Sequence, residues 1–134
     1  MKKLLGLGVV LFCLASCSDN DAAPAVNLDN LQKRWYNVST IVSGKTVAYD
    51  GNLACGKDYL EFSAGNVAKD VDVYDCQKDP AVTTGTYTAA DKSLTTLLGG
   101  ETVVYTIEKL NTKTLQIATT FNGGKIAYVY TSTP

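Results

Sequence analysis

Turn-forming residues recur at short intervals through most of the chain, and they limit what it can fold into. From Trp35 onward they separate about eight runs rich in Val, Thr, Tyr and Ile, and no run keeps a helical period beyond two turns. Short antiparallel strands joined by hairpins leave a sandwich or a closed barrel as the possible architectures. The breaks are Ser43-Gly44, Asp50-Gly51-Asn52, Ala64-Gly65-Asn66, Asp79-Pro80, Ala90-Asp91-Lys92, Gly99-Gly100, Asn111-Thr112-Lys113 and Asn122-Gly123-Gly124.

Four of these runs alternate apolar and polar residues with the two-residue period of a half-buried strand. Closure into a barrel is favoured, because about eight strands suffice for it and closure removes exposed edges. We therefore predict an all-β, eight-stranded antiparallel barrel after one short helical turn, capped by Asn27, in which Leu28 and Leu31 lie on one side. The residues predicted to share a face are Leu60 and Phe62, then Val103, Tyr105 and Ile107, then Leu115, Ile117 and Phe121, and finally Ile126, Tyr128 and Tyr130.

The first residues have the three-part form of a secretory signal, with Lys2 and Lys3 before an apolar run that ends at Ala15. That run is well below the ~18 to 20 residues of a spanning helix. The following Leu14-Ala15-Ser16-Cys17 resembles the lipobox of bacterial lipoproteins, which implies cleavage after residue 16 and acylation of Cys17. An ordinary cleaved signal is the alternative, and it would leave Cys17 as an exposed free thiol.

A polar, then Ala/Pro-rich segment over residues 17–26 predicts a flexible tether behind the lipid. Its Ser18-Asp19-Asn20-Asp21 is similar to the signal that sends Bacteroidota lipoproteins to the outer face of the outer membrane. The same acids also serve simply to keep a tether solvated. We expect a cell-envelope protein, lipid-anchored to the outer membrane on its periplasmic face or at the cell surface.

Cys55 and Cys76 are the cysteines left in the predicted exported domain, and we expect them to form a disulfide. A metal site is a poor alternative, because the chain contains no histidine to complete the ligand set. Without the two leader lysines the chain keeps 10 of its 12 basic residues against 13 acidic ones, a net charge of about −3. No basic cluster appears, so no nucleic-acid partner is predicted.

Residues 27–134 resemble the lipocalin-like domains found in many Bacteroidota lipoproteins. The matching features are a helical turn with Leu31 before Trp35, Cys55 ahead of the strand Asp58-Tyr59-Leu60-Glu61-Phe62, a mid-chain Gly85-Thr86-Tyr87, and terminal hairpins. The resemblance implies a lipocalin-like barrel with Trp35 as a plug near its closed end. One departure is Lys33, where lipocalins proper usually carry a glycine two residues before the tryptophan.

Catalysis is not predicted, because the chain has no histidine, no nucleophile elbow and no phosphate-binding glycine loop. An enzyme that used carboxylates alone would need two acids facing one cleft, and no pair is visibly placed for that. Asp70, Asp72 and Asp75 could gather on calcium, but the calcium-loop pattern is absent. Because Asp70 and Asp72 alternate with Val71 and Val73, a strand with one solvated face explains them better. We predict no metal and no cofactor.

By resemblance, the chain would hold a small, partly apolar ligand in the open end of its barrel. The candidate lining residues are Phe62, Tyr105, Ile107, Phe121 and Tyr128.

Tyrosine is also a favoured strand residue, so Tyr105, Tyr128 and Tyr130 could equally be ordinary barrel wall. A solid barrel that binds an envelope protein, as an inhibitor of a lytic enzyme or as an accessory subunit, is the alternative function. Interior volume separates the two, because Phe62, Tyr105 and Phe121 favour a filled barrel. Small side chains at Ala118, Thr119 and Ala127 favour space.

Overall fold

The computed structural model describes residues 25–134. The predicted signal over residues 1–16, Cys17 and the tether as far as residue 24 lie outside the described residues. In the part that is described, no helix is both long enough and apolar enough to cross a membrane.

A single 3-10 turn, Leu28–Asn30, precedes the strands, and Asn27 caps it by accepting a hydrogen bond from the Asp29 amide at 3.0 Å. Nine strands follow, each antiparallel to its neighbours. They are β1 (Arg34–Val42), β2 (Lys45–Ala48), β3 (Tyr59–Ser63), β4 (Val67–Asp72), β5 (Ala81–Ala90), β6 (Ser93–Leu98), β7 (Glu101–Leu110), β8 (Thr114–Phe121) and β9 (Gly124–Thr131).

Strand β1 also pairs with β9, and this pairing closes β1 and β3 to β9 into an eight-stranded barrel. The predicted fold class is therefore confirmed. The structure adds β2, an exposed strand that forms a hairpin with the far half of β1. Predicted turn pairs supply the tight connections: Asn122 and Gly123 both have positive φ, at 48° and 76°, as a two-residue hairpin turn requires.

One end of the barrel is filled by side chains around Trp35, which is fully buried. The Trp35 indole N–H donates to the carbonyl oxygen of Leu31 at 2.8 Å, so the helical turn covers this end and its indole has a partner. The other members of this core are Leu31, Phe62, Ala68, Tyr87, Leu94, Ile107, Leu115, Ile117 and Tyr130.

The predicted disulfide is confirmed, because Cys55 and Cys76 are bonded to each other. Cys55 lies in the connection between β2 and β3, and Cys76 lies in the connection between β4 and β5. The bond ties these two long loops together at the end of the barrel opposite Trp35.

Candidate functional site

At the end opposite Trp35 the barrel interior opens into a cavity of about 620 Å³. Small-molecule sites in proteins measure about 300 to 1,000 Å³. The wall is largely polar. Its acids are Asp58, Asp70, Asp72 and Glu101; its tyrosines are Tyr49, Tyr105, Tyr128 and Tyr130; its other polar residues are Asn37, Ser39, Thr40, Thr83 and Thr96; and Leu60, Val71, Leu98, Gly99 and Val103 complete it.

The acids reach the cavity through the period of the strands. Asp70 is two residues beyond Ala68, a buried core residue on the inner face of β4, and Asp72 is two residues further on. Glu101 is the first residue of β7, so it lies at the mouth. Burial, followed by the nearby carboxylates of Asp72 and Asp58, raises the pKa of Asp70.

Asp58 has a different role from the other three acids, because its carboxylate is already occupied. It is 5% exposed and accepts hydrogen bonds from the Tyr49 hydroxyl and from the Val73 amide, the latter at 2.7 Å. Its own amide donates to Asn52 Oδ1 at 3.1 Å. Asp58 thus fastens the loop after β2 to the end of β4. Burial and the Asp58 carboxylate raise the pKa of Tyr49.

Three tyrosines line the cavity below the acids. The rings of Tyr105 and Tyr128 meet edge to face, with centroids 6.3 Å apart. Tyr130 is 6% exposed and packs into the core next to them. Burial raises the pKa of Tyr130 and of Tyr105, so both phenols stay neutral and keep their protons at physiological pH.

The five predicted lining residues are placed at different depths. Tyr105 and Tyr128 line the cavity. Phe62 and Ile107 share the inner face but are about 1% exposed in the core at the Trp35 end. Phe121 ends β8 and is 65% exposed, outside the cavity wall.

The small residues expected to leave interior space do not do so at two positions. Ala118 and Ala127 pair with each other on the opposite face of β8 and β9 from Ile117 and Tyr128, which also pair. These alanines therefore do not create the space inside the barrel. The space lies towards the mouth, where short polar side chains such as Thr83 and Thr96 line the cavity.

Sequence reasoning missed the gathering of acids in one cavity. The available signal was the alternation over Asp70-Val71-Asp72, which predicts one solvated face, and in the structure that face is the inner wall of the cavity. The structure gives no support to the calcium alternative, because within residues 25–134 no three His, Cys, Asp or Glu side chains are grouped as metal ligands would be.

A closed eight-stranded antiparallel barrel with a plugged end and an open cavity is the architecture of the lipocalin-like class. The profile of the family described as lipocalin-like domain matches residues 31–117. The chain belongs to this family.

Solved structures agree on the fold. A lipocalin-like protein from Bacteroides uniformis is 10% identical with a TM-score of 0.60, and the match covers 77% of this chain and 98% of that one. A protein from Bacteroides eggerthii, described as uncharacterized, is 11% identical with a TM-score of 0.58, covering 76% and 98%. The search of curated proteins found no match.

Proposed function

We propose that this chain is an exported, lipid-anchored and non-catalytic binding protein that holds a small, partly apolar molecule in the open end of its barrel. The observation that carries the proposal is the cavity of about 620 Å³ above a filled core. A drug-sized or metabolite-sized molecule fits such a volume. Lipocalin-like barrels are in general binding proteins, and that agrees with this use of the cavity.

Interior volume separates ligand binding from the solid-barrel alternative. Large side chains fill the barrel around Trp35, Phe62 and Ile107, whereas Tyr105 and Tyr128 border the cavity. Towards the mouth, Thr83 and Thr96 take the inward positions, and such side chains are too short to fill an eight-stranded barrel. The open half therefore favours a small ligand over a partner protein bound by a solid barrel.

The non-catalytic part of the proposal is supported by what surrounds the polar groups. The chain has no histidine to act as a base near neutral pH. The Asp58 carboxylate is occupied by hydrogen bonds that hold loops together. Export and anchoring are supported by the leader and by Leu14-Ala15-Ser16-Cys17, and the disulfide between Cys55 and Cys76 suits a compartment outside the cytoplasm.

The test is native mass spectrometry of residues 18–134 purified from the protein's own host, with an organic extract of the same sample analysed in parallel. The closed barrel and its core lie within residues 25–134, so this part contains the barrel and its cavity. We expect an added mass at near-stoichiometric occupancy and the same compound in the extract.

A mass equal to that of the bare polypeptide, in preparations from several growth conditions, would contradict ligand binding. The extracted compound, incubated again with excess protein, should be recovered unchanged. Its conversion into a product would contradict the non-catalytic part of the proposal.

A further inference from the structure

Within residues 25–134, all of the acids that form ion pairs lie outside the cavity, and the acids that line the cavity form none. Every ion pair within residues 25–134 involves Glu61, Asp75 or Glu108, and none of these three lines the cavity. Asp70 and Glu101 do line it, with Asp72, whereas no Lys or Arg does. The natural electrostatic complement of such a cavity is a cation brought by the ligand.

The position of these charges within the barrel is also informative. Asp72 ends β4 and Glu101 begins β7, so both stand at the mouth. Tyr105 and Tyr128 lie deeper, and Ile107 and Ile117 lie deeper still, in the filled core. The cavity thus changes from charged to aromatic to apolar along its axis.

A second observation points to a ligand independently of the acids. Tyr130 is 94% buried, with only 6% exposed, yet its hydroxyl makes no hydrogen bond to any residue in the described part of the chain. In residues 25–134, every side-chain nitrogen or oxygen that is sealed from solvent has a hydrogen-bond partner. The Tyr130 oxygen has none, so it is not sealed, and it opens into the cavity that this residue lines. The Tyr130 hydroxyl is therefore free to bind a polar group of the ligand.

A bare metal ion does not suit this site. No three potential ligands converge in residues 25–134, and the cavity is far larger than an ion. Tyrosine rings attract organic cations through their negative faces, and the edge-to-face pair of Tyr105 and Tyr128 offers such surface beneath the carboxylates. Charge above and aromatic surface below match an amine on an apolar body.

We propose that the cavity binds an organic cation, a protonated amine on an apolar or aromatic body. Its charge lies beside the carboxylates of Asp70 and Asp72, with Glu101 at the mouth of the same cavity. Its body lies against Tyr105 and Tyr128, with Tyr130 available for one hydrogen bond. This assignment rests on the proposed function, since it names the ligand class of the same cavity.

Three compounds that share an indole ring and differ in charge test the assignment by isothermal titration calorimetry on residues 18–134. They are tryptamine, a cation; tryptophol, which is neutral; and indole-3-acetate, an anion. Tryptamine should bind at least about tenfold more tightly than tryptophol, the effect of one charge-assisted contact, and indole-3-acetate should bind most weakly. Added salt should weaken tryptamine binding and leave tryptophol unchanged.

The double variant Asp70→Asn/Asp72→Asn should lose the preference for tryptamine over tryptophol while it still binds tryptophol. Asp91→Asn is the matched control, because it makes the same chemical change in the exposed turn between β5 and β6, at the Trp35 end of the barrel. Its tryptamine affinity should equal that of the wild type. Circular dichroism confirms that each variant is folded.

Equal affinities for tryptamine and tryptophol, tighter binding of indole-3-acetate, or no binding of tryptamine would each overturn the cation assignment. These results leave the proposed function to its own test, because a host-derived neutral or anionic ligand would still appear as an added mass. A bound mass whose extract carries no amine or other cationic group would likewise overturn the assignment and keep the binding protein.

Discussion

Asp70 is the residue at which the cost of this cavity to stability can be measured. It lies on the inner wall beside Asp72, and burial and neighbouring carboxylates raise its pKa above the ordinary value of 3.8. A raised carboxyl pKa in the folded state means that the folded chain binds the proton more tightly than the unfolded chain does. The contribution of Asp70 to the free energy of unfolding therefore falls as pH rises through the interval between the unfolded and folded pKa values.

We predict that Asp70→Asn raises the melting temperature at neutral pH, because it removes a charge that partial burial in the cavity wall and the carboxylates of Asp72 and Asp58 disfavour. The gain should shrink as pH falls towards 3.8, where the wild-type carboxyl also becomes neutral in the folded state. Thermal unfolding of both proteins followed by circular dichroism over that pH range measures the difference.

Glu61→Gln provides the contrasting control, since the Arg34 hydrogen bond at 2.6 Å is the main cause that lowers the pKa of Glu61. When folding lowers the pKa of a carboxyl group, its carboxylate stabilises the folded state at pH values above the unfolded pKa, and this stabilisation is lost as the pH falls. Glu61→Gln should therefore lower the melting temperature at neutral pH. The Arg34 side chain is exposed to solvent, so the effect of the pair should be small. A destabilised Asp70→Asn variant at neutral pH would contradict the account of the cavity.

At the scale of elements, the pairing of β5 with β6 depends on close contact at one glycine. Gly85 stands in the middle of the barrel sequence, opposite Ala68 of β4. A Cβ atom at Gly85 would lie 1.8 Å from the carbonyl oxygen of Leu97 in β6, and a backbone oxygen cannot move aside without breaking the pairing. Glycine is common where two backbone segments approach this closely.

We predict that Gly85→Ala lowers the free energy of unfolding by about 3 kcal/mol or more, because the clash is with backbone and not with a flexible side chain. Gly124→Ala, at the start of β9, should change it by no more than about 0.5 kcal/mol. There the added Cβ meets the Phe121 carbonyl oxygen at an ordinary 3.5 Å. Urea unfolding of the two variants measures both values, and equal stabilities would contradict the close approach.

At the scale of the whole molecule, the barrel is divided into a filled half and a hollow half. The core around Trp35 holds the eight strands together, so the half towards the mouth can carry unpaired acids and open space without losing the fold. The disulfide between Cys55 and Cys76 joins the two loops at that open end, where core packing no longer does so. The described chain begins at the filled end, with the helical turn Leu28–Asn30 that precedes Trp35.

We predict that Cys17→Ala moves the whole protein from the membrane fraction to the soluble fraction, because it removes the residue that would carry the lipid. Cys13→Ala is the matched control, since Cys13 lies in the leader that is predicted to be cleaved. Both full-length chains are expressed in the native host, and the fractions are compared by immunoblotting. Membrane retention of the Cys17→Ala protein at the control level would contradict the lipid anchor.

The sequence by itself determined the all-β class and which side chains share a face of each strand. Turn pairs such as Asn122-Gly123 mark hairpins through local backbone preference, and the alternation over Val103, Tyr105 and Ile107 marks one inner face. The disulfide could be predicted too, because residues 18–134 contain no cysteines besides Cys55 and Cys76.

Only the tertiary structure decided the depth of each inward residue and the partner it meets there. Tyr105 and Ile107 share a face, yet one lines the cavity and the other fills the core, because strand tilt and register set height along the barrel axis. For the same reason the sequence could show that Asp70 and Asp72 have one solvated side, but not that this side is the inside of the barrel. Glu101 comes from a different strand, and it joins them only because closing the barrel brings distant segments to one mouth.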